Sequence, residues 1–472
     1  MRAVFNSARR DGRARVITPG KLYNIAVVRF TKKILFLLFP AGAALVLGLW
    51  CYDCLNAPMG SLFGDPSGLL LAFGRLAGIV AAAGILAQLL LISRVKWLEP
   101  LYGLDRLTKV HHVLGLAIPF ALVLHPSLLI LHHAGQGGIS FLAQYKEILG
   151  WEDALAASAG SVLILLAVAL SLPSVRRRLD YEVWHYSHLL LYAGLGLAVG
   201  HQLELGGDIN FNPLFARTWY ALYFFTLANL FWGRFLKPLL LYRRHRFVVE
   251  KIVPETTEVE SVWITGREMD LVPAEAGQFA LLRFWSPGFR SQAHPFSISR
   301  EPDGKYLRFS VKKLGDFTAA LHHSLKPGSP VIIDGPHGVF TEDKCLGDKA
   351  LLIAGGIGIT PLRALAERFR NLGKDCVLIY ANGGQKDIVF RKELGELEQA
   401  GGLKVFHVLS DDADWPGEKG RVDAAMIKRL APDFAERDAF LCGPPPMISA
   451  VRAALTGLGM SGSRIHYEIF SL

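Results

Sequence analysis

Apolar residues follow three rhythms along this chain, and each change of rhythm marks a new part. In the first half they form six runs of membrane length: Ile34 to Trp50, Gly68 to Ile92, Val110 to Leu131, Ala156 to Leu172, Val183 to Leu203 and Leu214 to Leu236. A helix rising 1.5 Å per residue needs about 20 such residues to cross a bilayer core, so each run predicts a span. Past Tyr242, apolar and polar residues alternate in short segments separated by Gly and Pro: Phe247 to Ile252, Glu258 to Thr265, Gln278 to Trp285, Leu307 to Lys312 and Val331 to Asp334. Period two with turn residues between predicts a compact antiparallel barrel. From Lys349 strand-like and helix-like stretches alternate, the mark of a parallel sheet. The expected fold is a multidomain membrane protein. It has a basic arm over 1–33, an all-α six-helix transmembrane bundle over 34–241, an antiparallel β-barrel over 242–345 and an α/β Rossmann-like domain over 346–472.

Composition agrees with a membrane part joined to a soluble part. Of 472 residues 51% are apolar, and the mean hydropathy of +0.31 is too high for an ordinary soluble enzyme. The formal charge of +10 comes from basic residues that cluster in alternate connections. Arg9, Arg10, Arg13, Arg15, Lys32 and Lys33 precede the first run. Arg94, Lys96, Arg106 and Lys109 lie between the second and third, Arg176, Arg177 and Arg178 between the fourth and fifth, and Arg234, Lys237, Arg243 and Arg244 around the end of the sixth. Under the positive-inside rule both termini are cytoplasmic and the third and fifth spans run outward. The expected partner of this charge is a lipid bilayer, not nucleic acid, and nothing points to an obligate protein partner. The five cysteines show no repeated spacing, so no disulfide framework is expected. Cys51 and Cys54 form a CxxC beside a span end, readable as a local disulfide, a metal clip or two incidental thiols.

The candidate chemistry of the membrane half lies in its histidines. His111 and His125 are fourteen residues apart in one run, which places them about 40° apart in azimuth and about 21 Å apart along a helix. His188 and His201 have nearly the same spacing in the fifth run. Two such helices clamp two metal centres stacked across a bilayer, and neutral imidazoles are good axial ligands for haem iron. The thirteen-residue spacing leaves His188 and His201 about 140° apart on an ideal helix, so either the helix deviates locally, which Gly194, Gly196 and Gly200 would permit, or its ligands reach around. His112 and His185 are competing ligands; His132 and His133 read as outer-loop residues.

The segments HHVLGLAIPFALVLH and YEVWHYSHLLLYAGLGLAVGH resemble the haem-ligand helices of the ferric reductase and NADPH oxidase superfamily, closest to a prokaryotic NADPH oxidase. That resemblance selects His111 over His112. It implies two b-type haems, an inner one on His111 and His188 and an outer one on His125 and His201. In the barrel, His294-Pro295-Phe296-Ser297-Ile298-Ser299 followed by Lys312, Gly315 and Thr318 resembles the FAD-binding domain of the ferredoxin-reductase superfamily. The resemblance implies that His294, Pro295, Phe296, Ser297, Ile298 and Ser299 hold FAD. Ser297 then lies near the reactive flavin edge, Gly315 and Thr318 near the pyrophosphate, and Lys312 is a further cofactor-binding residue.

In the last domain a strand over Ala350 to Ala354 runs into Gly355-Gly356-Ile357-Gly358-Ile359-Thr360-Pro361 and a helix. Glycines admit a phosphate to the backbone, and Pro361 suits a first helical turn whose amides face an anion. GGIGITP resembles the pyridine-nucleotide loop of the same superfamily. Cys442-Gly443-Pro444-Pro445-Pro446-Met447 resembles its second signature, which places Cys442 near the nicotinamide. The strand Cys376 to Tyr380 ends in Ala381 and Asn382 where NAD-selective folds often carry an acid, and Lys386, Arg391 and Lys392 follow, which favours NADPH with NADH still open. HYEIF resembles the family's closing segment, where an aromatic, here Phe470, shields the flavin; Ser471 and Leu472 extend beyond it.

The expected function is transmembrane electron transfer from cytoplasmic NADPH through FAD and two haems to an acceptor outside a bacterial inner membrane. Oxygen, giving superoxide, is favoured over a ferric chelate. Arg75, within the second span, is either a snorkelling arginine or, as the resemblance implies, a group that pairs with an outer-haem propionate and lines the site of oxygen reduction. Two readings of other classes remain: a haem-based redox sensor, and a haem-free anchor for a flavin reductase.

Overall fold

The computed structural model describes residues 19–56, 62–286 and 292–469. Arg9, Arg10, Arg13, Arg15 and Phe470 lie outside the described residues. The chain forms two compact units, Met1–Leu101 with Asp105–Phe231, and Tyr102–Leu104 with Trp232–Leu472.

The first unit is helical: α1 (Pro19–Leu55), α2 (Pro66–Leu91), α3 (Leu104–Gly137), α4 (Ala154–Ser171), α5 (Tyr181–Glu204) and α6 (Pro213–Phe231), with short helices in the connections. The first five hold the first five apolar runs to within one residue, and the sixth run, Leu214 to Leu236, passes from α6 into a π-helical turn over Trp232–Leu236. By length and apolarity, four described segments are able to cross a membrane: Phe36–Leu55, Pro66–Leu91, Arg106–Gly137 and Ala154–Ser171. α5 is diluted by three histidines, Glu182, Gln202 and Glu204, and α6 by Arg217, Asn229 and its hydroxyl-bearing residues, so both fall short of that measure.

Small residues let these helices approach. A Cβ on Gly160 of α4 would lie 2.5 Å from the Gly194 carbonyl of α5, and one on Gly194 would lie 2.7 Å from Ile164. Backbones this close gain dispersion contacts that larger side chains would block. On the other side α1, α2 and α6 share a core of Val46, Trp50, Cys54, Ala72, Ile79, Leu86, Phe215, Trp219 and Leu222. Phe120 and Phe224 point outward, 78% and 76% exposed, as lipid-facing residues should. Cys51 and Cys54 are not disulfide-bonded.

The second unit opens with α7 (Lys237–His245), which packs on strand β6. Two antiparallel sheets follow, β1-β2-β5 and β4-β3-β6. Their strands are β1 (Val248–Pro254), β2 (Val259–Thr265), β3 (Phe279–Phe284), β4 (His294–Ser297), β5 (Leu307–Lys312) and β6 (Val331–His337), with α8 (Asp316–Ser324) between the last two. Bridges Val248 to Pro330 and Ile298 to Phe309 join the sheets at both seams. The alternate residues Val262, Ile264, Ala280, Leu282, Phe284, Phe309, Val311, Val331 and Ile333 fill the space between them.

The remainder is a six-stranded sheet in the order β10-β9-β8-β7-β11-β12, parallel throughout. Its strands are β7 (Lys349–Gly355), β8 (Asp375–Asn382), β9 (Leu403–Leu409), β10 (Glu418–Lys419), β11 (Asp438–Gly443) and β12 (Ile465–Ile469). Helices α9 (Ile359–Asn371), α10 (Arg391–Gln399), α11 (Ala424–Leu430) and α12 (Pro445–Gly457) connect them. The chain leaves β7 towards β8 on one side and later enters β11 on the other, so the strand order reverses between β7 and β11. A ligand crevice is expected outside the carboxyl ends of those two strands.

Candidate functional site

Two imidazole pairs form between α3 and α5. The His111 and His188 ring centres are 6.4 Å apart, and those of His125 and His201 are 6.1 Å apart. A nitrogen sits roughly 2 Å from a metal and about 1 Å from its own ring centre, so two imidazoles on opposite faces of one iron have centres about 6 Å apart. Both pairs fit. Among the described residues no group of three or more His, Cys, Asp or Glu is placed for a metal ion. An iron that arrives with four porphyrin nitrogens needs two protein ligands, which is what each pair offers.

Outer hydrogen bonds set the tautomers. His125 Nδ1 lies 2.8 Å from the Gly74 carbonyl of α2, which only accepts, so Nδ1 bears the hydrogen and Nε2 keeps a lone pair for a metal. His188 Nδ1 lies 2.9 Å from Ser171 Oγ. Apart from its approach to the Ala198 backbone one turn back, His201 Nδ1 is buried without a hydrogen-bond partner among the described residues. A Cβ on Gly78 would sit 2.7 Å from His125 Nδ1, so glycine is what lets α2 pass this ring.

Of the two ways to bring His188 and His201 into line, the helix takes the second: it is unbroken from Tyr181 to Glu204, and both pairs meet because the side chains reach around. Each histidine has two side-chain torsions with which to reach a partner from a different azimuth. His112 and His185 are exposed, His185 stacking on Tyr181 at 5.7 Å. His132 and His133 belong to the last turns of α3 and not to a loop; His132 is buried against Ser67, and His133 packs edge-on to Trp151 at 5.2 Å.

Arg75 has a partner that the sequence reading did not identify. Its guanidinium grips the carboxylate of Asp208, with Nε 2.9 Å from Oδ2 and Nη2 on Oδ1. Asp208 is buried, in the short helix Gly207–Phe211. The ion pair removes the need to snorkel, because a bidentate carboxylate offsets much of the cost of the charge.

In the barrel, β4 presents the HPFS segment against β3, with Phe279 opposite Ser297 and Leu282 opposite His294. The His294 ring stacks on Phe317 of α8 at 3.8 Å. Pro295 is exposed and Phe296 half-buried. Ser297 is 5% exposed, yet its Oγ has no hydrogen-bond partner among the described residues. A buried hydroxyl left open is what a ligand-facing serine looks like before its ligand arrives. Ile298 and Ser299 behave differently. Ile298 is in the barrel core, and Ser299 Oγ is tied to Ser310 Oγ at 2.8 Å and to Arg308, so their side chains serve the fold. Lys312 ends β5. Thr318 Oγ1 accepts from the Leu314 and Gly315 amides, at 2.9 and 3.1 Å, and so uses two donors of the loop expected to meet a pyrophosphate. What is left there is the open first turn of α8, where a Cβ on Gly315 would touch nothing.

At the crevice between β7 and β11 the glycines have unequal duties. A Cβ on Gly358 would lie 2.3 Å from the Cys442 carbonyl, one on Gly443 3.1 Å from the Gly355 backbone, and one on Gly355 2.3 Å from Met447 Sδ. These three let the two signature loops touch each other. Gly356, at φ +53°, faces open space and is the one placed for a phosphate to approach. Thr360 Oγ1 bonds the Ile357 carbonyl at 2.9 Å, and Pro361 is buried in the first turn of α9. Cys442 is fully buried, and Pro444 is exposed beside it. β12 runs parallel to β11 and brings Ile469 beside Gly443.

Asn382 ends β8 buried. Apart from its approach to the Tyr380 hydroxyl, neither Oδ1 nor Nδ2 has a hydrogen-bond partner among the described residues. Arg391 sits over Trp415 at 5.5 Å, and Lys392 is 90% exposed. The sequence reading also missed Ser171, the Gly74 carbonyl and Asp208. A backbone carbonyl carries no residue signal, and a lone serine or aspartate at a helix end reads first as a cap.

Comparison with known proteins accords with this layout. Residues 77–199 match the ferric reductase like transmembrane component family, residues 249–341 an FAD-binding domain and residues 352–453 an oxidoreductase NAD-binding domain. The chain has the architecture of the ferric reductase and NADPH oxidase superfamily. Its extramembrane modules are those of flavin- and NAD(P)-dependent oxidoreductases. It is similar to the glycine betaine monooxygenase reductase subunit of Pseudomonas aeruginosa, 31% identical over 236 residues, which cover 48% of this chain and 64% of the relative. It is also similar to the flavohemoprotein of Bacillus subtilis, 27% identical over 48% of this chain and 58% of that one. The chain thus spans less than two thirds of the length of these curated relatives. Among solved structures, the flavohem-like FAD/NAD binding domain of a Vibrio cholerae nitric oxide dioxygenase is 24% identical, covering 48% of this chain and 99% of that one, at a TM-score of 0.45.

Proposed function

We propose that this protein carries electrons across a membrane, from NADPH on the cytoplasmic side to an acceptor on the other. Bound NADPH, FAD and two b-type haems would supply the redox chemistry, hydride transfer at the nicotinamide and one-electron steps at iron. The chain supplies placement. His111 and His188 hold the inner haem and His125 and His201 the outer one. Ser297 and its strand orient the flavin, Gly356 and the first turn of α9 receive the dinucleotide phosphate, and Cys442 and Pro444 border the nicotinamide. The reading places the haem domain over 34–241, the FAD domain over 242–345 and the nucleotide domain over 346–472. It has six spans, both termini are cytoplasmic, and the membrane is a bacterial inner membrane.

The observation that carries this reading is the double pairing of imidazoles at 6.4 and 6.1 Å on the same two helices. A haem-free anchor has no use for four such histidines, two of them with their Nδ1 engaged. Oxygen is the acceptor we assign, on the resemblance of HPFSIS and the closing segment to the oxidases. The test is a reduced-minus-oxidised spectrum of the purified protein under anaerobic NADPH, then under oxygen. The expected result is two low-spin b-type components reduced by NADPH and reoxidised with release of superoxide, and loss of the inner one in both His111→Ala and His188→Ala. Two intact centres in both variants, or haem that NADPH leaves oxidised, overturns the reading. Reoxidation by a ferric chelate but not by oxygen reassigns the acceptor.

A further inference from the structure

A cluster beside His188 is left unused by this reading. Ser171 ends α4, and three hydrogen bonds meet at its hydroxyl. The O–H donates to the Ala167 carbonyl at 2.7 Å, while Oγ lies 2.9 Å from His188 Nδ1 and 3.1 Å from Trp184 Nε1. A serine hydroxyl has one proton to give, and an indole N–H only donates. With its proton committed to Ala167, the oxygen accepts from both nitrogens. His188 therefore carries its hydrogen on Nδ1 and keeps its lone pair on Nε2. The Trp184 ring lies 5.4 Å from the His188 ring, and the Arg176 guanidinium stands 4.6 Å from the Trp184 ring. A cation, an indole, a hydroxyl and a ligand imidazole thus form one contiguous series.

We propose that Ser171, Trp184 and Arg176 are positioning residues that set the electron affinity of the inner haem from opposite directions. The proposal rests on the bis-haem reading above. By accepting the Nδ1 hydrogen, Ser171 makes the imidazole a stronger donor to iron, which favours the oxidised state. The fixed charge of Arg176 acts the other way, because the reduced site holds one more electron and is stabilised by a nearby cation. Trp184 links the two. Its N–H occupies the second lone pair of the Ser171 oxygen, and its ring carries Arg176 by a cation–π contact. His125 has its own acceptor, the Gly74 carbonyl, on a different helix, so changes at Ser171 or Arg176 act on the inner site alone.

The experiment is a spectropotentiometric titration of the full-length haem-loaded protein, with low-temperature EPR of the ferric state. The inner component is assigned as the one lost in His188→Ala. In Ser171→Ala the inner midpoint rises and its EPR g-values move; Ser171→Thr, which keeps the hydroxyl, restores both. In Arg176→Met the inner midpoint falls, and the outer component is unmoved in all three. If Ser171→Ala does not fold, Trp184→Phe is read in its place: it frees the second lone pair, strengthens acceptance from His188 and lowers the inner midpoint. Unmoved inner midpoints, or shifts of one sign in both Ser171→Ala and Arg176→Met, overturn the proposal while a two-haem wild type leaves the parent reading standing. A wild type without two haem components overturns both.

Discussion

Ser297→Ala is expected to move stability and function in opposite directions. The serine is 5% exposed and its Oγ is unpartnered among the described residues. Burying a hydroxyl without a hydrogen bond costs about 1–3 kcal/mol. Alanine removes that cost and loses one small polar atom, so the FAD-free protein is expected to be as stable as wild type or more stable by about 1 kcal/mol. With FAD bound, the same hydroxyl gains a partner, and its loss removes roughly 1–1.5 kcal/mol of hydrogen bonding, about a factor of ten in affinity or in the rate of flavin reduction. Because a ligand that binds only the folded state raises its stability by an amount that grows with the logarithm of its affinity, the thermal shift produced by FAD should shrink in the variant. Unfolding with and without FAD, a flavin fluorescence titration and stopped-flow reduction by NADPH measure these quantities on one preparation. A variant that loses more than about 1 kcal/mol without FAD, or that binds and reduces FAD as wild type does, refutes the argument.

Asp208→Ala leaves the Arg75 guanidinium without its carboxylate, which should cost about 3 kcal/mol in detergent unfolding, while Arg75→Ala with Asp208→Ala recovers most of it; additive losses would show that the pair is not coupled. In Arg75→Ala that still carries both haems, NADPH should reduce them normally and oxygen should reoxidise them more slowly; equal rates leave Arg75 a structural partner of Asp208. Gly358→Ala drives a Cβ into the Cys442 carbonyl and should cost about 3 kcal/mol, whereas Gly356→Ala meets only its positive φ, about 1 kcal/mol. Thermal unfolding ranks the two, and the reverse order removes the packing account. Hydrogen bonds from Arg437 and Lys349 hold the Asp433 carboxyl down at about 2, from an ordinary 3.8. A depressed carboxylate stabilises the fold above its unfolded value and loses that contribution as pH falls through the folded one. Asp433→Asn should therefore be less stable than wild type by about 1 kcal/mol near pH 6, after allowance for solvent screening, and the gap should close between about pH 4 and 2. A gap that does not depend on pH counts against the assignment.

The three rhythms of apolar residues determined the main elements, because burial period is a local property of sequence: all six apolar runs are helical, and the five alternating segments and the strands at Ala350 to Ala354 and Cys376 to Tyr380 are strands, whereas His294–Ser297 and the later strands of the parallel sheet were not placed individually. The spacing of His111 and His125 determined that these two histidines share one face of a helix, since azimuth follows from counting residues. Counting could not choose His111 over His112 or His188 over His185. The resemblance of HHVLGLAIPFALVLH to known haem-ligand helices selected His111, and the packing of α3 against α5 brings the His111 and His188 rings to face each other while His112 and His185 are exposed. The glycines of GGIGITP were legible as glycines, but not their separate duties: Gly355 and Gly358 serve contact with the Cys442 loop, which approaches from across the sheet, and only Gly356 is open. Arg75 was legible as a costly charge whose partner was not, because Asp208 lies 133 residues away in the chain. The tautomer of His188 depends on Ser171 and Trp184, which come from the end of one helix and the first turns of the next. Sequence determines what each residue is able to donate, accept or bury; which group it meets is a property of helix crossings and sheet order, and those are settled by the whole core at once.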